Sequence, residues 1–278
     1  MESGGLWQIS RFKEDQIDLP LVSIITVTFN ADQHLAQALD SILCQTYSNI
    51  ELIVIDGEST DSTLDLIRER ADRIDYWISE ADSGIYDAMN KGIELARGQF
   101  LGFKNADDWY LPNAVEMMVQ ASRNIGADVL YGNSLSILEE EPLQVAPFFT
   151  DHKTLGQNPG IDHRSCFMRS SLHKSILFDL KYKLAADLDV FYRLQNLSAK
   201  FVHIDGFLSY KRFGGASDGT AILKESFEIN RKYKGWVWAK YAQLKSRAIY
   251  FKWRLGNAVL KSILSAEVYH NFKSRKIS

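Results

Sequence analysis

Two short runs of apolar, largely β-branched residues constrain the fold of this chain most: VSIITVTF, after Pro20, and IELIVI, at Ile50–Ile55. A strand that is apolar at nearly every position has no face to offer water, so it belongs inside a sheet covered on both sides. Between the two runs, a helical pattern from about Asp32 places Leu35, Leu39, Ile42 and Leu43 on one face. After the second, Thr60 or Asp61 can cap a helix carrying Leu64 and Ile67. The alternation continues with a short strand at Tyr76–Ile78 and a helix from Ile85 to Ala96, with Ile85, Met89, Ile93 and Ala96 in phase. A strand over Phe100–Phe103, a helix opened by Pro112 and a strand beginning at Asp128–Tyr131 come next. The pattern predicts an α/β fold, a mostly parallel sheet with helices on both faces. From about Asn133 to Asp162 it breaks into short strands and loops, and helix returns at Ala186–Asn196. Met1–Leu19 reads as a poorly fixed leader. The expected divisions are a leader over 1–20, an α/β domain over 21–219 and a helical extension over 220–278.

Charge and cysteine content narrow the function classes. The net charge of −3 argues against a nucleic-acid binder. From Lys224 to Ser278, however, thirteen Lys and Arg stand against three Asp and Glu, so the extension is basic. Cys44 and Cys166, the only two cysteines, have neither zinc spacing nor the number a disulfide framework needs, which points to a reducing, cytoplasmic setting. No stretch reads as a signal peptide, and none reaches the ~18 apolar residues of a membrane span. The expectation is a soluble protein or one lying on a membrane surface.

In an open α/β sheet, ligands bind beyond the carboxyl ends of the strands. Three predicted strand ends carry chemistry: Thr28, Phe29 and Asn30; Asp56, Gly57, Glu58 and Ser59; and Asn105, Ala106, Asp107 and Asp108. Adjacent carboxylates repel unless a cation sits between them. Hard oxygen ligands suit Mn2+ or Mg2+ carrying a diphosphate. The plainer alternative for Asp107 and Asp108 is an acidic turn ahead of the helix at Pro112.

The order VSIITVTFN, SILCQTY, IELIVIDGESTDST and DSGIYDAMNKGIELARGQFLGFKNADD resembles the family-2 glycosyltransferases, inverting enzymes of the GT-A fold typical of bacterial polysaccharide synthesis. The resemblance is dense over Leu21–Asn113 and continues more loosely through IDHRSCFMR and AADLDVFYRL. It implies that NADD is the acidic metal motif, with Asp107 and Asp108 sharing the divalent ion and the donor ribose. Asn105 stands where many relatives have Asp, able to bond a ribose hydroxyl but adding no charge. Thr28, Phe29 and Asn30 would lie against base and ribose. Gly57 replaces an acid that reads uracil in some relatives, leaving Asp56 or Glu58 to take that part. Asp82 and Lys91 would face the diphosphate or sugar, and His163 the phosphates or the acceptor. The same alignment puts the catalytic base at Asp187, with Asp189 as rival; on a helix two residues apart they point to different sides.

The resemblance thus implies a metal-dependent transfer of sugar from a nucleotide donor to an acceptor hydroxyl, with inversion, in surface polysaccharide or glycolipid assembly. The alternative is an inactive relative that binds a nucleotide sugar or a partner. Cys166 reads as packing, and the FGGAS run at Phe213–Ser217 as a turn or gating loop. In the tail, bases interleave with Trp236, Trp238, Tyr241, Tyr250, Phe251 and Trp253. That composition suits an anionic membrane surface or, alternatively, packing on the domain or in a homo-oligomer.

Overall fold

The computed structural model describes residues 1–123, 126–139, 144–157, 160–212 and 221–248. The strands are β1 (Glu2–Gly4), β2 (Val22–Thr28), β3 (Ile50–Asp56), β4 (Tyr76–Ser79), β5 (Phe100–Asn105), β6 (Trp109–Tyr110), β7 (Val129–Glu139), β8 (Gln144–Phe148), β9 (Cys166–Arg169) and β10 (Phe201–Lys211). The helices are α1 (Leu35–Leu43), α2 (Thr63–Arg68), α3 (Ile85–Leu95), α4 (Ala114–Ser122), α5 (Ser170–Lys174), α6 (Ala186–Asn196) and α7 (Ala221–Lys234), and residues 236–248 are also helical. All strands join one sheet in the order β1-β4-β3-β2-β5-β9-β7-β10-β6, with β8 paired to β7.

The apolar runs are strands because both of their faces are covered. Every residue of β2 and β3 is buried. Alternate side chains separate into two cores, as the strand period of two requires. Ile25, Val27, Ile53, Ile55, Leu101 and Phe103 pack with Met89 and Ile93 of α3 and with Val190 and Phe191 of α6. Val22, Ile24, Leu52, Val54 and Phe100 pack with Leu35 and Leu39 of α1, Ile67 of α2 and Met118 of α4. α3 approaches β2 so closely that a Cβ on Gly92 would collide with Ile25 Cγ2.

β4, β3, β2 and β5 run parallel, so their carboxyl ends share one edge. Thr28 pairs with Asp56, Asp56 with Ser79, and Val27 with Asn105. β9 runs antiparallel between β5 and β7 and returns the chain to this edge just before Cys166, which is fully buried.

The leader is not loose. β1 pairs antiparallel with β4, Trp7 stacks on Tyr76 at 4.9 Å, and Lys13 forms a 2.8 Å ion pair with Asp75. The edge of β4 holds these residues; ESG has neither the apolar content nor the period that announces a strand. Nor does the chain break up at Asn133, since β7 runs on to Glu139. Polar Asn133, Ser134 and Ser136 are buried there, and their partners offset the desolvation: Ser134 donates to Asp162 at 2.7 Å and Asn133 Oδ1 accepts from Thr150 N at 3.0 Å. α1 begins at Leu35, after a turn from Asp32, and α2 begins at Thr63, whose N–H is received by Asp61 Oδ1 at 2.9 Å. The FGGAS segment and the tail beyond 248, with Tyr250, Phe251 and Trp253, lie outside the described residues.

Candidate active site at the carboxyl edge of the sheet

At the end of β2, Thr28 is buried and its Oγ1 has no partner, whereas Phe29 is 62% exposed. Asn30 adopts a left-handed φ of 47°, a conformation Asn tolerates better than most side chains. Its Oδ1 accepts from Thr60 N at 2.9 Å, which locks this turn to the one after β3. In that second turn Asp56 is fully buried and occupied, accepting from Ser79 Oγ at 2.6 Å and from Ser59 N at 3.0 Å. Asp56 therefore braces the loop. Glu58 is exposed, with φ 66°. The carboxylate beside Gly57 is neither of these. A Cβ at Gly57 would lie 2.6 Å from Asp82 Oδ2 and 3.4 Å from Phe29 Cδ2, so the glycine leaves room for Asp82 next to an exposed aromatic ring. Lys91 pairs with Glu80 at 2.8 Å and donates to Ala81 O at 2.9 Å.

The acidic turn divides its two carboxylates. Asp107 is partly exposed, and Asp108 is 1% exposed. Asp108 lies 3.6 Å from Arg164 Nη1 and accepts from Arg212 N at 3.2 Å. Burial raises its pKa despite the opposing pull of Arg164. Arg212 also donates to Asp107 O at 2.8 Å and stacks 4.6 Å from the Trp109 ring centre. Beneath the turn, Lys104 is fully buried, donates to Arg164 O at 2.9 Å and sits over the Tyr110 ring. Burial lowers its pKa to about 7, against the attraction of Asp108 and Asp162. Asp162 is buried too, but Arg164, at 2.8 Å, and Lys211 overcome that penalty and hold its carboxyl well below the usual range.

His163 and Arg164 are consecutive, and they join this cluster to α6. Arg164 reaches Asp108, while His163 Nδ1 lies 3.2 Å from Asp187 Oδ2. The other oxygen of Asp187 accepts from Tyr86 Oη at 3.3 Å and from Leu188 N at 2.9 Å. His163 Nε2 is buried without a partner. The rival Asp189 is 1% exposed and consumed by Lys232 Nζ and Tyr233 Oη, each at 2.9 Å, and by Arg193 at 2.8 Å. The structure thus brings together Thr28, Phe29, Asn30, Asp56 and Asp82 along one set of loops, and joins Asn105, Asp107 and Asp108 through Arg164 to His163 and Asp187. Tyr86, Lys104, Asp162 and Arg164 were not singled out in the sequence. All four lie inside the conspicuous runs, and only the tertiary fold shows what they touch.

Among the described residues, no three His, Cys, Asp or Glu side chains converge as a ligand cluster. A divalent ion carrying a diphosphate needs few protein ligands, because phosphate oxygens and water fill the rest of its shell. Asn105 Oδ1, buried without a partner, and the adjoining partly exposed Asp107 are oxygens of the kind such an ion takes.

The α/β sheet, with an acidic turn after β5, is similar in fold to the glycosyltransferases of the GT-A type. The profile of the family described as Glycosyl transferase family 2 matches residues 23–177, and the chain belongs to that family. It is 33% identical over 217 residues to a PGL/p-HBAD biosynthesis glycosyltransferase of Mycobacterium bovis, covering 74% of this chain and 82% of that protein. It is 25% identical to an uncharacterized glycosyltransferase of Haemophilus influenzae over 93% of this chain and 83% of that one. Among solved structures, S. aureus TarS 1-349 in complex with UDP-GlcNAc superposes with a TM-score of 0.63 at 19% identity, over 77% of this chain and 65% of that one. A mannosyltransferase from Pyrobaculum calidifontis, in complex with GDP-Man and Mn2+, gives a TM-score of 0.63 at 14% identity, over 98% and 86%.

Proposed function

We propose that this glycosyltransferase moves a sugar from a nucleoside-diphosphate donor to an acceptor hydroxyl with inversion, using Asp187 as general base. One observation carries the reading: Asp187 is held between His163 and Tyr86 and linked through Arg164 to the acidic turn, whereas Asp189 is spent on three partners. Asp187 takes the proton of the acceptor hydroxyl as its oxygen attacks the anomeric carbon. The bond from that carbon to the diphosphate oxygen breaks on the opposite face, and the nucleoside diphosphate leaves with the electron pair. Phe29 and Asp82 face the base, and Thr28 and Asn30 the ribose. Asp56 orders the loop under them. His163 Nε2 faces the phosphates or the acceptor. Asp107, with Asn105 Oδ1, would hold Mn2+ or Mg2+, which supplies charge neutralisation to the leaving diphosphate.

The donor class is supported by the complexes of the structural neighbours with UDP-GlcNAc and with GDP-Man and Mn2+. A glycolipid or polysaccharide acceptor is supported by the biosynthetic name of the mycobacterial relative. The test is transfer from a nucleotide sugar by the purified chain. Asp187→Asn loses at least ~10²-fold in rate while still binding donor, and Asp189→Asn loses far less. An active Asp187→Asn and a dead, folded Asp189→Asn would reverse the assignment.

A further inference from the structure

α6 carries Asp187 in its first turn yet has no cap of its own. The residue before it is Ala185, which has no side chain able to receive the free N–H groups of the helix start. What is held instead is the segment just before the helix, and the group that holds it is Glu225, in the second turn of α7. One carboxylate accepts from Lys183 N at 2.9 Å, Leu184 N at 2.8 Å and Ala185 N at 3.0 Å. Three consecutive backbone donors thus converge on a side chain some forty positions away in sequence. The same segment is tied at its far side, where Lys183 Nζ donates to Ser83 O at 3.2 Å, in the loop that carries Asp82. Two residues beyond Ala185, the Asp187 carboxylate reaches outward to His163 and Tyr86.

We infer that Glu225 is a positioning residue for the catalytic base, and that the α7 end of the C-terminal extension is thereby part of the working site. The inference rests on the reading of Asp187 as base. Free N–H groups at a helix start attract the nearest carboxylate, with the helix dipole adding to the pull. Glu225 takes the N–H groups of Lys183, Leu184 and Ala185 from outside and fixes the segment that leads into α6, so Asp187 enters the first turn aimed at His163 and Tyr86. Without Glu225 the 183–185 segment is released and its N–H groups are freed at the start of α6, where Asp187, which already receives Leu188 N at 2.9 Å, is the first acid of the helix. That carboxylate would turn back toward the backbone and leave His163.

The His163 imidazole reports this directly and needs no substrate. Long-range 1H–15N spectra of the full-length protein, with His163 assigned through His163→Gln, are compared for wild type, Asp187→Asn, Glu225→Ala and Glu225→Gln. Asp187→Asn moves the His163 Nδ1 resonance. Glu225→Ala moves it in the same direction by at least half as much, and Glu225→Gln, which keeps an acceptor oxygen, restores most of the wild-type position. A lower Tm with the His163 signals unmoved in Glu225→Ala makes Glu225 a brace of the 183–185 segment only and overturns the inference. If Glu225→Ala does not fold, Glu225→Asp, one methylene shorter, carries the same comparison: an unmoved signal is again the overturning result. The base assignment fails separately. A fully active Asp187→Asn removes the base role whatever Glu225 does to His163.

Discussion

At the scale of single residues, the site separates carboxylates that face outward from carboxylates that hold the protein together. Asp107 and Asp108 are neighbours in sequence with opposite environments. Asp107→Ala should leave the fold intact and remove the gain in nucleotide affinity that Mn2+ brings, read by calorimetry of UDP and GDP with Mn2+ and with chelator. Equal affinities in both conditions for the wild type would remove the metal role from Asp107. Asp108 instead balances Arg164 in a buried cluster that also contains Lys104 and Asp162. Removing it leaves buried cations short of a partner, a loss of about 3–5 kcal/mol that should appear as a fall in Tm. A second buried group makes stability depend on pH. His173 is fully buried between Phe103 and Phe178, neither ring nitrogen has a partner, and burial lowers its pKa to about 4 from an ordinary 6.5. Below pH 6.5 the unfolded chain takes up this proton and the folded one does not, so stability present at neutral pH is lost as pH falls toward 4. His173→Leu should flatten the part of the Tm-against-pH curve between those values. A curve unchanged by the substitution would show that His173 is not responsible for it.

At the scale of elements, close approach outweighs local propensity. Gly92 lies inside α3, where alanine would favour the helix by about 1 kcal/mol. The added methyl would meet Ile25, which is fully buried and β-branched and has nowhere to move. Overpacking of this kind costs about 1–3 kcal/mol, so Gly92→Ala should destabilise, read as a lower midpoint in urea with an unchanged slope. The same contrast explains which elements were legible from sequence. β2, β3, α3 and α6 declare themselves because one environment covers a whole period. β1 and the later half of β7 do not. Glu2–Gly4 becomes a strand only because β4 offers an open edge. Asn133, Ser134 and Ser136 look like loop residues until Asp162 and Thr150 are seen beside them. The site divides in the same way. Asp187, His163 and the acidic turn were readable from motif order, but the exchange of Gly57 for a neighbouring Asp82 and the grip of Glu225 arise only from contacts distant in sequence.

At the scale of the whole molecule, the catalytic unit and the extension are continuous: Ile229 of α7 lies in the core shared with α6, and Tyr192 donates to Asn230 at 2.6 Å. Beyond this the surface changes character. Residues 236–248 bury Ala239 and Ala242 but expose Trp236, Val237, Tyr241 and Leu244, and Val237, Tyr241 and Leu244 follow one another at helical spacing. Exposed Lys240 and Arg247 lie on the same helix. No helix among the described residues is long and apolar enough to cross a membrane. Aromatic and aliphatic side chains interleaved with bases suit a helix lying in the headgroup region, where each base adds about 1 kcal/mol near anionic lipid. The full-length chain should therefore co-sediment with phosphatidylglycerol-containing vesicles at low salt and be released as salt screens the charge. Tyr241→Asp with Leu244→Asp should abolish binding while nucleotide affinity stays within about twofold, because neither residue belongs to the site. If the unaltered protein ignores anionic vesicles and instead shows a concentration-dependent mass that the same double substitution makes monomeric, the stripe is a subunit interface and the membrane reading is wrong.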